Sequence, residues 1–128
     1  MANKSKILRG VVPPVCTPFT SDYEVDEKSF RRLINHLIDG GVHGLFVLGS
    51  TSEVAYLTDK RRADVIRIAI DETAGRVPVV AGAIDMTTFR VNEHVRAAVG
   101  AGIDGIVITV PFYVRTHPEE IALHFRLV

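Results

Sequence analysis

Four apolar runs divide the chain, at residues 10–18, 44–48, 76–83 and 105–110. Each is followed by a stretch with helical periodicity. Over 27–39, Phe30, Leu33, Ile34, Leu37 and Ile38 recur on one face. Asp26 is placed to cap that helix, and Gly40-Gly41 to end it. A second helix is predicted over 59–73, with Ala63, Ile66, Ala69 and Ile70 on its apolar side and Gly75 as its stop. Thr58 caps it imperfectly, because Arg61 stands where a capping box wants a carboxamide or carboxylate. Thr87 or Thr88 opens a third helix reaching about residue 99, and Gly100 to Gly102 closes it. Pro118 suits the first position of a fourth, over 119–127. The first apolar run contains Pro13, Pro14 and Pro18, so its strand should be irregular or lie at a sheet edge. Residues 1–9 are polar and expected to be loosely ordered.

The strand runs show no alternation of apolar and polar residues. A parallel sheet buried on both faces requires that pattern, and strand-then-helix order repeated four times gives an α/β fold. There is also an internal repeat: Gly41-Val42-His43-Gly44-Leu45-Phe46-Val47 matches Gly102-Ile103-Asp104-Gly105-Ile106-Val107-Ile108. Modules of roughly 30 residues are the size of one unit of a (β/α)8 barrel. Such a barrel takes about 250 residues, and the chain has 128. The expectation is a single domain, 1–128, built as a (βα)4 half of a barrel with parallel strands and helices outside. Its open inner sheet face would be covered by self-association, as a dimer or higher homo-oligomer. An open four-stranded α/β layer is the alternative.

Composition narrows the function. Hydrophobic residues make up 47% of the chain, enough for a real core, and the net charge is zero. No basic stripe interleaved with aromatics suggests nucleic acid. No long apolar stretch suggests a signal peptide or membrane span. The lone Cys16, inside an apolar run, reads as a small core residue in a reducing, cytoplasmic setting.

Chemistry in such folds sits at the carboxyl ends of strands. The four candidate positions are Thr17-Pro18-Phe19, Gly49 to Glu53, Gly82 to Asp85, and Pro111 to Arg115. In the second, Leu45 to Leu48 stops at Gly49 and is followed by Ser50, Thr51 and Ser52. Small residues let backbone amides approach an anion closely, although Gly, Ser and Thr are equally ordinary turn residues. The first and third positions offer little beyond turn chemistry.

Taken together, these motifs resemble the dihydrodipicolinate synthase / N-acetylneuraminate lyase family of (β/α)8 class I aldolases acting on pyruvate. The resemblance runs along essentially the whole chain and is to the N-terminal half of the family. It rests on Thr17-Pro18-Phe19, Gly49-Ser50-Thr51-Ser52-Glu53, Pro78-Val79-Val80-Ala81-Gly82 and Thr109-Val110-Pro111-Phe112-Tyr113. It implies that Gly49, Ser50 and Thr51 form the loop binding an α-keto-acid carboxylate. It further implies that Ser50 joins a proton relay and that Tyr113 reaches a neighbouring subunit's site. Ser52 stands where the family usually has glycine, and Phe112 where many members have a second tyrosine. The family's Schiff-base lysine and another relay tyrosine belong to later strands. None of Lys4, Lys6, Lys28 and Lys60 falls at a strand's carboxyl end, so no lysine is carried over. The chain alone is therefore expected to be catalytically incomplete.

The remaining polar residues read as structural. Glu53 is expected to orient or cap the loop, Asp85 to cap or turn, and Arg115 to lie at the surface or a subunit contact. His36, His43, His94, His117 and His124 lack metal-site spacing, and neither metal nor cofactor is expected. Tyr23 and Tyr56 read as partly buried packing residues. A self-associating scaffold and a small anion-binding domain remain the competing functions.

Overall fold

The computed structural model describes residues 8–128. The predicted helices appear as α1 (Glu27–Asp39), α2 (Asp59–Thr73), α3 (Thr88–Gly100) and α4 (Pro118–Leu127). Their starts are set by the expected side chains. Asp26, Thr58 and Thr87 accept hydrogen bonds from the amides of Ser29, Arg61 and Arg90, satisfying donors that the first turn leaves free. Pro118 is the first residue of α4, and the Glu120 carboxylate accepts from the His117 amide at 2.6 Å.

Strands β1 (Leu45–Val47), β2 (Val79–Gly82) and β3 (Gly105–Val107) form one parallel sheet in that order. The first predicted strand is reduced to an isolated parallel bridge between Pro14 and Phe46. Its segment still runs beside β1: the Val15 amide donates to Phe46 O at 2.8 Å and the Phe46 amide to Pro13 O at 3.0 Å. Pro13 and Pro14 have no N–H to give, which thins the ladder as their sequence implies. Strand β3 is shorter than the predicted 105–110 because its ladder stops where β2 stops, at Gly82.

The register separates two faces. Leu45 pairs with Val79, and Val47 lies level with Ala81 and Ile106. Those residues join Phe30, Ile34, Val65, Ile68 and Ala69 in the core under the helices. Phe46, Val80 and Gly105 form the row pointing the other way, towards what would be the inside of a barrel. The exposed Cys16 corrects the expectation of a core cysteine; it follows the fully buried Val15 and points to the opposite face. Tyr23 and Tyr56, expected to pack, are 75% and 81% exposed.

The internal repeat is a repeat of backbone geometry. Gly41 and Gly102 both follow a helix with φ of 86° and 91°. In each case the next amide reaches back five residues, Val42 to Leu37 O and Ile103 to Ala98 O. This Schellman closure aims both β1 and β3 into the sheet. Helix α2 ends at Thr73 as predicted, but its C-cap Ala74 is already left-handed at φ 47° and is followed by Gly75 at φ 75°. Its buried face is also rotated from the predicted one: Arg62, Val65, Ile66, Ala69 and Thr73 are buried, whereas Ala63 is exposed.

Phe30 is fully buried between α1 and the sheet. Phe30→Ala should therefore cost about 3–5 kcal/mol in urea unfolding. The same change at Phe89, 68% exposed, should stay within about 0.5 kcal/mol. Similar losses at both positions would show that Phe30 does not anchor the core.

Candidate functional site

The loop after β1 begins with a strained turn. Leu48 is 2% exposed yet has φ 59°, a conformation that costs a non-glycine residue about 1–2 kcal/mol. The turn lays the Leu48 carbonyl against Gly82 on β2, where a Cβ would stand 2.0 Å from that oxygen. Gly49 then passes over the Phe46 ring, with 2.9 Å between its would-be Cβ and the ring edge. Gly82 is thus demanded by close backbone approach, and Gly49 leaves room for the Phe46 side chain.

The loop is pinned from below by Ser52, which is fully buried. Its hydroxyl donates to Val15 O at 2.5 Å and accepts from the Gly49 amide at 3.2 Å. Thr17 Oγ1 donates to Ser52 O at 2.9 Å. The amides of Ser52, Glu53 and Val54 return to Gly49 O and Ser50 O. Ser50 and Thr51 are exposed, and neither of their amides has a hydrogen-bond partner in the described structure. Glu53 is left-handed at φ 58° and opens a 3-10 turn, Val54–Tyr56, but its side chain makes no capping bond.

A cavity of about 430 Å³ opens beside this loop, floored by Phe46 and Val107 and edged by Ser50, Thr109 and Phe112. Ser50 and Tyr113 therefore lie at the same, carboxyl end of a parallel sheet. Tyr113 projects into solvent, 92% exposed, from a left-handed backbone at φ 81°. A groove of about 580 Å³ between α2 and α3 is larger; on its rim Arg90 is paired with Asp59 and Glu93, while Arg96 is exposed.

The third strand end holds more than turn chemistry, contrary to expectation. Asp85 accepts from the Met86 amide at 2.7 Å and pairs with His94 Nε2 at 2.9 Å. Arg90 Nε and an Arg62 nitrogen stand 3.5 and 4.0 Å from its carboxylate. Arg62, 8% exposed, donates to Val54 O at 3.1 Å, Ile84 O at 2.9 Å and Leu57 O at 3.4 Å. One guanidinium thus ties the loop after β1 to the loop after β2. Burial pulls the Arg62 pKa down, opposed by Asp85 and Asp59. The available signal was a cation four residues before Ile66 on an otherwise apolar helix face.

Histidines bind elements together. His124, 2% exposed, meets Thr88 Oγ1 at 2.9 Å and Thr109 O at 3.1 Å, fastening α4 to α3 and to the end of β3. His43 Nδ1 accepts from the Val11 amide at 3.0 Å. Among the described residues no group of three or more His, Cys, Asp or Glu is arranged to hold a metal. No helix there is long and apolar enough to cross a membrane.

The family model for the dihydrodipicolinate synthetase family matches residues 7–128. The chain belongs to this family. Among its relatives, 4-hydroxy-tetrahydrodipicolinate synthase of Salinibacter ruber is 40% identical over 122 residues, which is 95% of this chain and 40% of that enzyme. The synthase of Phenylobacterium zucineum is 38% identical over 122 residues, covering 95% and 41%. YagE, a prophage protein of the dihydrodipicolinic acid synthase family from E. coli K12 solved in complex with pyruvate, superposes with a TM-score of 0.88 at 38% identity, covering 91% of this chain and 39% of that one. CdNal of Clostridium difficile, solved with mannosamine, gives 0.89 at 27% identity, with coverage of 94% and 42%. The chain thus spans about 40% of the length of the dihydrodipicolinate synthase relatives it matches. Its fold is the N-terminal, four-module share of their (β/α)8 barrels.

Asp85 supplies a pH test. Burial alone would raise its pKa, but His94, the Met86 amide and Arg62 together bring it below the ordinary carboxylate value. A depressed folded pKa stabilises the fold above the unfolded value of about 3.9, and that stabilisation is lost as pH falls through the folded value. Asp85→Asn should therefore flatten the acid-side fall of the urea midpoint below about pH 4. An unchanged acid slope in the variant would show that Asp85 does not contribute to the acid-side loss of stability.

Proposed function

We propose that the chain is the front half of a Schiff-base-forming, pyruvate-type lyase or aldolase, contributing the loop that takes the α-keto-acid carboxylate. The observation that supports this most is the pair of unpartnered amides at Ser50 and Thr51, set above an apolar cavity on a loop whose Gly49, Ser52, Glu53 and Val54 donors are consumed internally. A carboxylate is stabilised by convergent donors fixed before it arrives. YagE was solved with pyruvate bound, which agrees with the same ligand class here. Ser50 adds a hydroxyl for proton relay. Tyr113, strained and extended into solvent, is the group offered to a neighbouring subunit.

The imine is not made by this chain alone. Lys28 and Lys60 are exposed on helices, and Lys60 is paired with Asp64 at 3.4 Å; a Schiff-base lysine needs a desolvated amine. Lys4 and Lys6 lie outside the described residues. Incubation with pyruvate and borohydride should leave the mass unchanged, while a ¹⁵N titration with pyruvate should move the Ser50 and Thr51 amides in the millimolar range. A reduced adduct in the mass spectrum would overturn the incompleteness. Unmoved amides would overturn the loop assignment.

A second reading accompanies the first, because the inner sheet face is apolar and open. Phe46, Val107 and Phe112 line its cavity, and Phe112 and Tyr56 are 39% and 81% exposed. Self-association into a homo-oligomer in a cytoplasmic setting would cover that face. Sedimentation should show dimers or larger species at micromolar chain. A monomer that binds no hydrophobic dye would count against it.

A further inference from the structure

Resting on the reading of Ser50 and Thr51 as carboxylate donors, we propose that Ser52 is the positioning residue of the loop, deciding which amides an anion meets. Its hydroxyl occupies two backbone groups at once. It gives its proton to Val15 O at 2.5 Å, which orients its lone pairs to receive the Gly49 amide at 3.2 Å. Ser52 O is in turn held by the buried Thr17 hydroxyl at 2.9 Å. The loop is therefore stapled to residues 35–37 positions earlier in the chain, and the Gly49 amide is withdrawn from the set of free donors. Two amides remain, on adjacent exposed residues.

Ser52 is fully buried, so it touches no ligand and acts only through the backbone it holds. A glycine at this position, with no hydroxyl, could fill neither role. The site in this chain is thus a two-amide site whose geometry is fixed by a side-chain hydroxyl.

Amide hydrogen exchange and pyruvate titration of the full chain, wild type against Ser52→Ala, test the proposal. In the wild type the Gly49 amide should exchange slowly; in the variant its protection should be lost, and pyruvate affinity at Ser50 and Thr51 should fall about tenfold, the equivalent of one buried hydrogen bond. Ile68→Val, a core change away from the loop, provides the comparison for lost stability and should leave affinity unchanged. If Ser52→Ala does not fold, Ser52→Gly takes its place with the same expected result. Fast exchange of the wild-type Gly49 amide would overturn the staple whatever pyruvate does. Equal affinities in wild type and variant, or an equal loss in Ile68→Val, would overturn the positioning role. Slow Gly49 exchange with no pyruvate response in the wild type would instead overturn the carboxylate reading, and with it the role of the staple in binding.

Discussion

The contact between the Leu48 carbonyl and Gly82 governs the upper end of this sheet. At the end of β1 Leu48 turns left-handed, and β2 makes room for its carbonyl by carrying no Cβ at Gly82. The turn costs about 1–2 kcal/mol in backbone strain. Burying the Leu48 side chain returns about 1.5–3 kcal/mol, so the strained state persists because its side chain is locked in the core. Everything after it, from Gly49 crossing the Phe46 ring to the 3-10 turn at Val54, inherits its direction from this one residue.

The loop is then held by groups remote in sequence. Ser52 joins it to Val15, Thr17 reaches it from the extended segment, and Arg62 binds the following turn to the end of β2. Each of these polar side chains is buried and satisfied, which is the condition under which a buried polar network adds rigidity. The cation at Arg62 is tolerated because three carbonyls and a nearby carboxylate replace its water.

Helix starts were legible in the sequence because capping is local: Asp26, Thr58 and Thr87 act on amides three residues away. The repeat at Gly41 and Gly102 was legible for the same reason, as was the parallel order of the strands. The proline-broken first run read correctly as irregular, though not that its ladder would shrink to one bridge. What escaped were pairings across the fold. Nothing near Ser52 announces that Val15 O needs a donor, and nothing near Asp85 announces Arg62 or His94. Cys16 was misread because continuous apolar runs hide which face of a strand meets the helices. The apolar face of α2 was misphased for a related reason: Ala63 looks like core, and Arg62 does not.

These restraints have a common origin with consequences for chemistry. Leu48, Gly82, Ser52, Val15, Thr17 and Arg62 all belong to the first three modules, so the loop's geometry is complete without further strands. The cavity beside it is not complete in the same sense: Phe46 and Val107 form an apolar floor with solvent on its open side. Ordering a loop and enclosing a site are thus separate tasks in this architecture. A preorganised donor pair operating in water is weak, because solvent competes for each amide; the same pair under a dry cover is strong. The fold fixes the loop locally and leaves enclosure to whatever covers the inner face; on the proposed carboxylate reading, recognition is formed within the half-barrel while its strength is set from outside it.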